Sequence, residues 1–244
     1  MNRFFIPQTC IEEDRVRLCN GFAHQICHVL RLKPKDHVVV LDNKGSEYVV
    51  CLTDVGKHQV CGDIQERRLC QTEPLAQITL FQSMLKRDKF EWVLQKCTEI
   101  GVARIVPIIT ERSIVQKTEI KSGKMQRWQA IIREAAEQSG RGRVPDLGVP
   151  MMFGDSLEWS LDIRIAGALR GDQCSIQKSL SQVDVTSHPS VGLWIGPEGG
   201  WTLEEVESAT SVGVHCVKFG QRILRTETAA VVACILILHE LKEL

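Results

Sequence analysis

The chain is expected to fold as a small β-barrel or sandwich followed by an α/β domain on a mostly parallel sheet. Three features carry that expectation. The first third holds short strand patterns joined by tight turns. From Ala76 onward, strand and helix patterns alternate, the rhythm of a parallel sheet with helices on both faces. Between the two, Gln71–Pro74 has the composition of a linker, which divides the chain into domains at 1–72 and 73–244.

In the first part, "DHVVVLD" (Asp36–Asp42) is a strand, Asn43, Lys44 and Gly45 make a turn, and "EYVVCL" (Glu47–Leu52) returns. "HQVCGDIQER" follows as a further strand. The second part opens on the strand "QITLFQSML" and a helix from Asp88 to Ile100, with Phe90, Val93, Leu94 and Cys97 on one face. Asp88 and Glu91 have capping-box spacing, and Gly101 is the stop. "VARIVPII" is the next strand, and a helix over Lys124–Ser139 turns Trp128, Ile131, Ile132 and Ala135 to one side. "IRIAGAL" (Ile163–Leu169) and "SVGLWIG" (Ser190–Gly196) are strands. Thr202 opens a helix with Glu205 as its capping partner, and Gly213 ends it. "VHCVKF" is the last strand, and the final helix spans Thr226–Leu241.

A hydrophobic content of 43% with 25% charged residues is globular rather than disordered. The formal net charge of zero removes any global attraction to nucleic acid, so such a partner must be met by a local patch. "MNRFFIPQTC" carries no secretory pattern, and the longest apolar run, Ala229–Leu238, is about half of a bilayer span. The cysteines are scattered without a C-x-x-C, and Cys51, Cys61 and Cys216 read as small core hydrophobes. A reduced, cytoplasmic protein without a membrane partner is expected. "HQICH" (His24–His28) has zinc-protease spacing, but Gln25 stands where the catalytic glutamate would be and no third ligand is evident, so no metal is expected.

Two glycine loops stand out at strand ends, where an α/β sheet collects its ligands. "IGPEGGW" (Ile195–Trp201) resembles a phosphate loop in position only. Pro197 has no N–H to donate, and Glu198 repels a polyphosphate. Bare backbone beside a carboxylate suits a flat, uncharged ring carrying a cationic group, and S-adenosylmethionine has that chemistry. "FGQRILRTETAA" (Phe219–Ala230) adds Arg222 and Arg225, which can hold a phosphate or an electron-rich carbonyl. The plainer reading is that Gly196, Gly199 and Gly200 make a tight turn, that Thr226 is an N-cap and that both arginines are solvated.

At these residues the chain resembles the RsmE family of ribosomal RNA methyltransferases, within the SPOUT superfamily. "RDKFEWVLQKCTEIGVARIVPIITERS", "RWQAIIREAAEQSGR", "IGPEGGWT" and "LRTETAA" follow the family in its order, and "RFFI" and "HQICHVLRL" resemble its N-terminal domain. The resemblance implies a PUA-like β-barrel, an α/β SPOUT methyltransferase domain with a C-terminal trefoil knot, and a homodimer with its active site at the subunit interface. It implies methylation of N3 of one uridine in the decoding region of 16S ribosomal RNA. The cofactor site it implies comprises Leu169 and Gly171, then Ile195, Gly196, Glu198 and Gly200, then Gly220, Ile223, Leu224 and Thr226.

Uridine N3 carries a proton, and its anion spreads charge onto O2 and O4. Arg225 is the expected electrostatic group for that charge, with Glu227, Glu198 or Gln138 positioning the base or accepting its proton. RNA contacts are expected from Arg112, Arg141 and Arg143 in a basic stretch ending in the loop "EQSGRGR", from Lys86 and Arg87 in "KRDK", and from Arg3, His24, Arg31 and Lys33 in the barrel. The rival readings are a non-catalytic RNA-binding scaffold and a SPOUT enzyme acting on transfer RNA or large-subunit RNA. A nucleotide-phosphate enzyme is disfavoured by Pro197 and Glu198.

Overall fold

The structure, a computed structural model, describes residues 1–116, 118–167, 175–181 and 188–244. These form two compact units, Met1–Glu73 with Ala136–Val144, and Pro74–Ala135 with Pro145–Leu244.

In the first unit, β1 (Asn2–Phe5), β2 (Ile11–Glu12), β3 (Arg15–Cys19), β4 (His37–Leu41), β5 (Ser46–Val55) and β6 (Gln59–Leu69) form a sheet in the order β1-β4-β5-β6-β3-β2. Only β1 and β4 run parallel; the remaining pairs are antiparallel. Helix α1 (Gly21–His24) continues into a wider turn over Gln25–Val29. Strand β4 is apolar on both faces because it serves two cores. Val38 and Val40 pack with Phe4, Leu18, Ile26 and Val50. Val39 and Leu41 pack instead with Phe5 and Ala136. That second face is why Ala136–Val144 belongs to this unit although it lies far along the chain. Fully burying a valine contributes about 1.5–3 kcal/mol, so this contact fixes the segment firmly.

In the second unit, β7 (Gln77–Ser83), α2 (Arg87–Ile100), β8 (Arg104–Ile109), α3 (Ser122–Ser139), β9 (Asp146–Leu147), β10 (Met151–Met152) and α4 (Phe153–Ser156) come first. Then follow β11 (Ile163–Gly167), α5 (Ile176–Ser181), β12 (Ser190–Ile195), α6 (Leu203–Ser211), β13 (His215–Val217) and α7 (Thr226–Glu240). The last residues of α3 fall in the first unit. The sheet order is β10-β8-β7-β12-β11-β13, with β9 beside β8, and every pairing is parallel. Strands β7 and β12 are central and covered on both faces, so every residue after the first in each is buried, including the polar Thr79, Gln82 and Ser83 of β7. Phe81 of β7 stacks on Trp194 of β12 with ring centroids 4.6 Å apart.

Helix α6 starts on the expected capping box, with both Thr202–Glu205 hydrogen bonds present. Helix α2 does not start as expected. Lys86 is its N-cap without a side-chain cap bond, and Asp88 sits inside the first turn. Glu91 is turned away to a bidentate pair with Arg127, at 2.7 and 2.8 Å. Gly101 does end α2, in the left-handed conformation at φ 116°. Helix α7 packs against α2, with Cys97 and Cys234 meeting in the seam. A hydrogen bond donated by its S–H to Cys234, and then burial, push the Cys97 thiol well up. Among the described residues, no helix is long and apolar enough to cross a membrane.

Candidate functional site

A cavity of about 500 Å³ opens at the C-terminal ends of β11, β12 and β13. One wall is the loop that leaves β12, and the other is the loop between β13 and α7. Ile195, Gly196, Glu198, Gly200, Ile223, Leu224, Arg225 and Thr226 all line it. Gly220 lies in the second loop at φ 120°, a left-handed conformation that a side chain would strain. Leu169 and Gly171 lie outside the described residues.

The first wall is built by close packing. Trp201 donates from Nε1 to the Gly167 carbonyl at 2.7 Å, which fixes its indole under the loop. A Cβ on Gly196 would stand 3.0 Å from that indole, so Gly196 serves contact with Trp201 as well as access to the cavity. The Gly200 amide donates to the Pro197 carbonyl at 2.9 Å and closes a turn that leaves Glu198 at its tip, a third exposed. Arg112, expected to contact RNA, donates from Nη1 to the carbonyls of Gly199 at 3.0 Å and Trp201 at 3.3 Å. It therefore braces this loop while lining the cavity.

The second wall is latched to the first. Thr226 does not cap α7, whose N-cap is Arg225 without a side-chain bond. Its hydroxyl donates to the Gly196 carbonyl at 2.5 Å and accepts from Gln82 Nε2 at 3.3 Å. Arg222 and Arg225 are exposed beside the cavity.

Lys89 completes the site, and sequence reasoning had placed it only within a basic run. Its Nζ lies 3.2 Å from Glu198 Oε1 and 3.5 Å from Glu227 Oε2. Glu227 is 14% exposed, and its buried Oε2 accepts no hydrogen bond. Among the described residues, the cavity offers apolar side chains, backbone, the Glu198 carboxylate and the cationic Lys89, Arg112, Lys218, Arg222 and Arg225. Pro197 interrupts any cradle of N–H donors, as the sequence implied. The loop that leaves β12, by itself, suits a flat, uncharged ring bearing a cationic arm better than a phosphate. Gln138, exposed on the last turn of α3, does not line the cavity.

The other candidate RNA contacts fall into two groups. Lys86, His24, Arg31, Lys33 and Arg143 are exposed. The backbone of Arg87 opens α2. Arg141 is a correction: it is 4% exposed and paired with Glu73, its Nη2 2.7 Å from Oε2. Glu73 also accepts from the amides of Gly142 at 2.9 Å and Arg143 at 3.3 Å, so the loop "SGRGR" is anchored rather than loose. Arg3 is likewise committed, forming an ion pair with Glu47 that Arg68 shares. Burial pushes the Glu47 carboxyl up, but the hydrogen bonds from Arg3 and Arg68 outweigh it and hold it below the ordinary range.

Comparison with known families places this fold and cavity among the RNA methyltransferases. The family described as RNA methyltransferase domain matches residues 71–238, and that described as RNA methyltransferase PUA domain matches 23–65. The ribosomal RNA small subunit methyltransferase E of Bacillus subtilis is 34% identical over 243 residues, covering 96% of this chain and 94% of that protein. That of Synechocystis is 32% identical, covering 95% and 75%. The crystal structure of ribosomal RNA small subunit methyltransferase E from Neisseria gonorrhoeae bound to S-adenosyl methionine superposes with a TM-score of 0.86 at 31% identity, over 98% and 97% of the two chains. The chain belongs to the ribosomal RNA small subunit methyltransferase E family.

Proposed function

We propose that the protein transfers a methyl group from S-adenosylmethionine to N3 of a uridine in the decoding region of 16S ribosomal RNA, within the small ribosomal subunit. The observation that carries this reading is the cavity: a phosphate-averse loop with one carboxylate, in a chain whose structural relative from Neisseria gonorrhoeae is bound to S-adenosyl methionine. Ile195, Ile223 and Leu224 would flank the adenine, Gly196 and Gly200 would present backbone to it, and Glu198 would face the cationic arm. Leu169 and Gly171 remain proposed contacts on resemblance alone. The bound cofactor supplies an electrophilic methyl group on a sulfonium.

The chain's own part is to position the uracil and manage its charge. Arg225 stabilises negative charge on a uracil carbonyl as the N3 proton leaves. Glu198 or Glu227 receives that proton and Gln138 positions the base; of the three, only Glu198 lines the cavity. The N3–C bond forms as the S–C bond breaks, and the electron pair stays on sulfur. Exposed Lys86, Arg143, His24, Arg31 and Lys33 would meet phosphates. A homodimer would cover the half-exposed Val231, Val232 and Leu236 and the exposed Ile235 on α7. The parallel order β12-β11-β13 supports the trefoil knot that the family implies. A cytoplasmic location follows from the substrate.

Mass mapping of small-subunit RNA from cells lacking the protein tests the reading. Loss of one N3-methyluridine, restored by the wild-type chain, is the expected outcome; an unchanged map refutes it. Arg225→Ala should lower kcat on small subunits by about 10²-fold while leaving cofactor affinity near wild type.

A further inference from the structure

We propose that Lys89 is a specificity-determining residue of the cofactor cavity. Its ammonium, held between Glu198 and Glu227, limits the preference of the cavity for the sulfonium cofactor over the uncharged thioether product. The inference rests on the S-adenosylmethionine reading and goes beyond it to how the site treats the charge that the reaction removes.

S-adenosylmethionine and S-adenosylhomocysteine share an adenosine and an amino-acid arm. They differ by one methyl group and one positive charge at sulfur. A fixed charge beside the cavity therefore acts on their ratio of affinities, because contacts to the shared parts cancel. Among the described residues, five cationic side chains line the cavity, Lys89, Arg112, Lys218, Arg222 and Arg225, against the carboxylate of Glu198. Of these, Lys89 is the one paired with Glu198. Arg112 is turned to the carbonyls of Gly199 and Trp201. Lys218, Arg222 and Arg225 are exposed, where solvent screens them.

Lys89 differs in being pinned. It is two-thirds buried in the first turn of α2, with Glu198 at 3.2 Å on one side and Glu227 at 3.5 Å on the other. Glu198, at the cavity wall, is the natural counter-charge for a sulfonium. Lys89 already occupies part of that carboxylate's field. Glu227, behind, keeps the ammonium there. Unopposed, Glu198 would stabilise the sulfonium ground state most, and that charge disappears as the methyl moves to an uncharged product. Interactions stronger in the ground state than in the transition state slow the chemical step. Lys89 thus trades cofactor affinity for turnover.

Calorimetric titration of the full-length chain with each of the two compounds at low salt tests this without any methyl transfer. In Lys89→Met the ratio Kd(S-adenosylhomocysteine)/Kd(S-adenosylmethionine) should rise about three- to tenfold. Lys89→Arg should keep it within about twofold of wild type, because the charge remains. Glu198→Gln should move it the opposite way, which keeps the test decisive if a Lys89 variant folds poorly. The change in Lys89→Met should shrink in about 0.5 M salt. On small subunits, KM for the cofactor and kcat should fall together in Lys89→Met. An unchanged ratio, equal weakening of both compounds, or a change confined to RNA affinity overturns the proposal. If the wild-type chain binds neither compound, the cofactor reading itself has failed. If wild type binds both and the ratio in Lys89→Met is unmoved, only the role of Lys89 has.

Discussion

Replacing Glu73 by glutamine should destabilise the unit formed by Met1–Glu73 and Ala136–Val144 by about 3 kcal/mol. The magnitude follows from what the carboxylate holds. Its oxygens accept from Arg141 Nη2 at 2.7 Å and Nε at 3.2 Å, and from the amides of Gly142 and Arg143 at 2.9 and 3.3 Å. Glutamine keeps one acceptor oxygen, loses the charge and turns an NH₂ toward a guanidinium that is only 4% exposed. Breaking a buried pair on one side costs about 3–5 kcal/mol. Glu73 is itself 20% exposed, which sets the figure at the low end. Amide hydrogen exchange in β4, whose Val39 and Leu41 share a core with Ala136, should then speed up by about 10²-fold. A loss below about 1 kcal/mol would show that the pair contributes little. A second arm tests the functional assignment. Glu73→Leu with Arg141→Met removes both charges and should leave the salt dependence of RNA binding unchanged. A slope reduced by about one would make Arg141 a phosphate contact after all.

Three further outcomes follow from the site and the first unit. Gly196→Ala should cost about 1–2 kcal/mol and weaken S-adenosylmethionine binding by calorimetry, because the new Cβ meets an indole that cannot retreat. At Gly200, φ 68° makes alanine cost about 1 kcal/mol in thermal unfolding, while asparagine should cost less. Glu47→Gln should lower stability at neutral pH by about 2 kcal/mol. The Glu47 carboxyl is held below its ordinary value in the folded chain, so its contribution is present above that ordinary value. It is lost as pH falls through the lowered one, and the wild-type and variant stability curves should converge in acid. A gap that persists at low pH would contradict the assignment.

Local signals were legible and distant ones were not. Thr202 and Glu205 stand three residues apart, and both halves of their capping box form. Gly101 and Gly213 end their helices with positive φ because little but glycine adopts that conformation cheaply. Asp88 and Glu91 have the same spacing as the Thr202 box, yet Glu91 binds Arg127, a partner that spacing along α2 cannot reveal. Arg141 looked like an RNA contact because its counter-charge lies 68 residues away. Lys89 looked like one more member of a basic run because Glu198 is 109 residues away. Pro197 and Glu198 argued from the outset against a phosphate, and that reasoning needed only the chemistry of two neighbours. The pairing of the two glycine loops across the sheet ends required the tertiary fold.

The bond from Thr226 to the Gly196 carbonyl has a consequence for how this pocket can change. With Gln82 behind it, one hydroxyl joins the exit of β12, the start of α7 and the end of β7. The two walls are therefore not separate adjustable parts. A redesign that reshapes either loop for a bulkier cofactor analogue must carry the opposite loop with it, or lose the hydroxyl that sets their spacing. Variants selected for such an analogue should accumulate compensating changes in pairs, one on each side of Thr226.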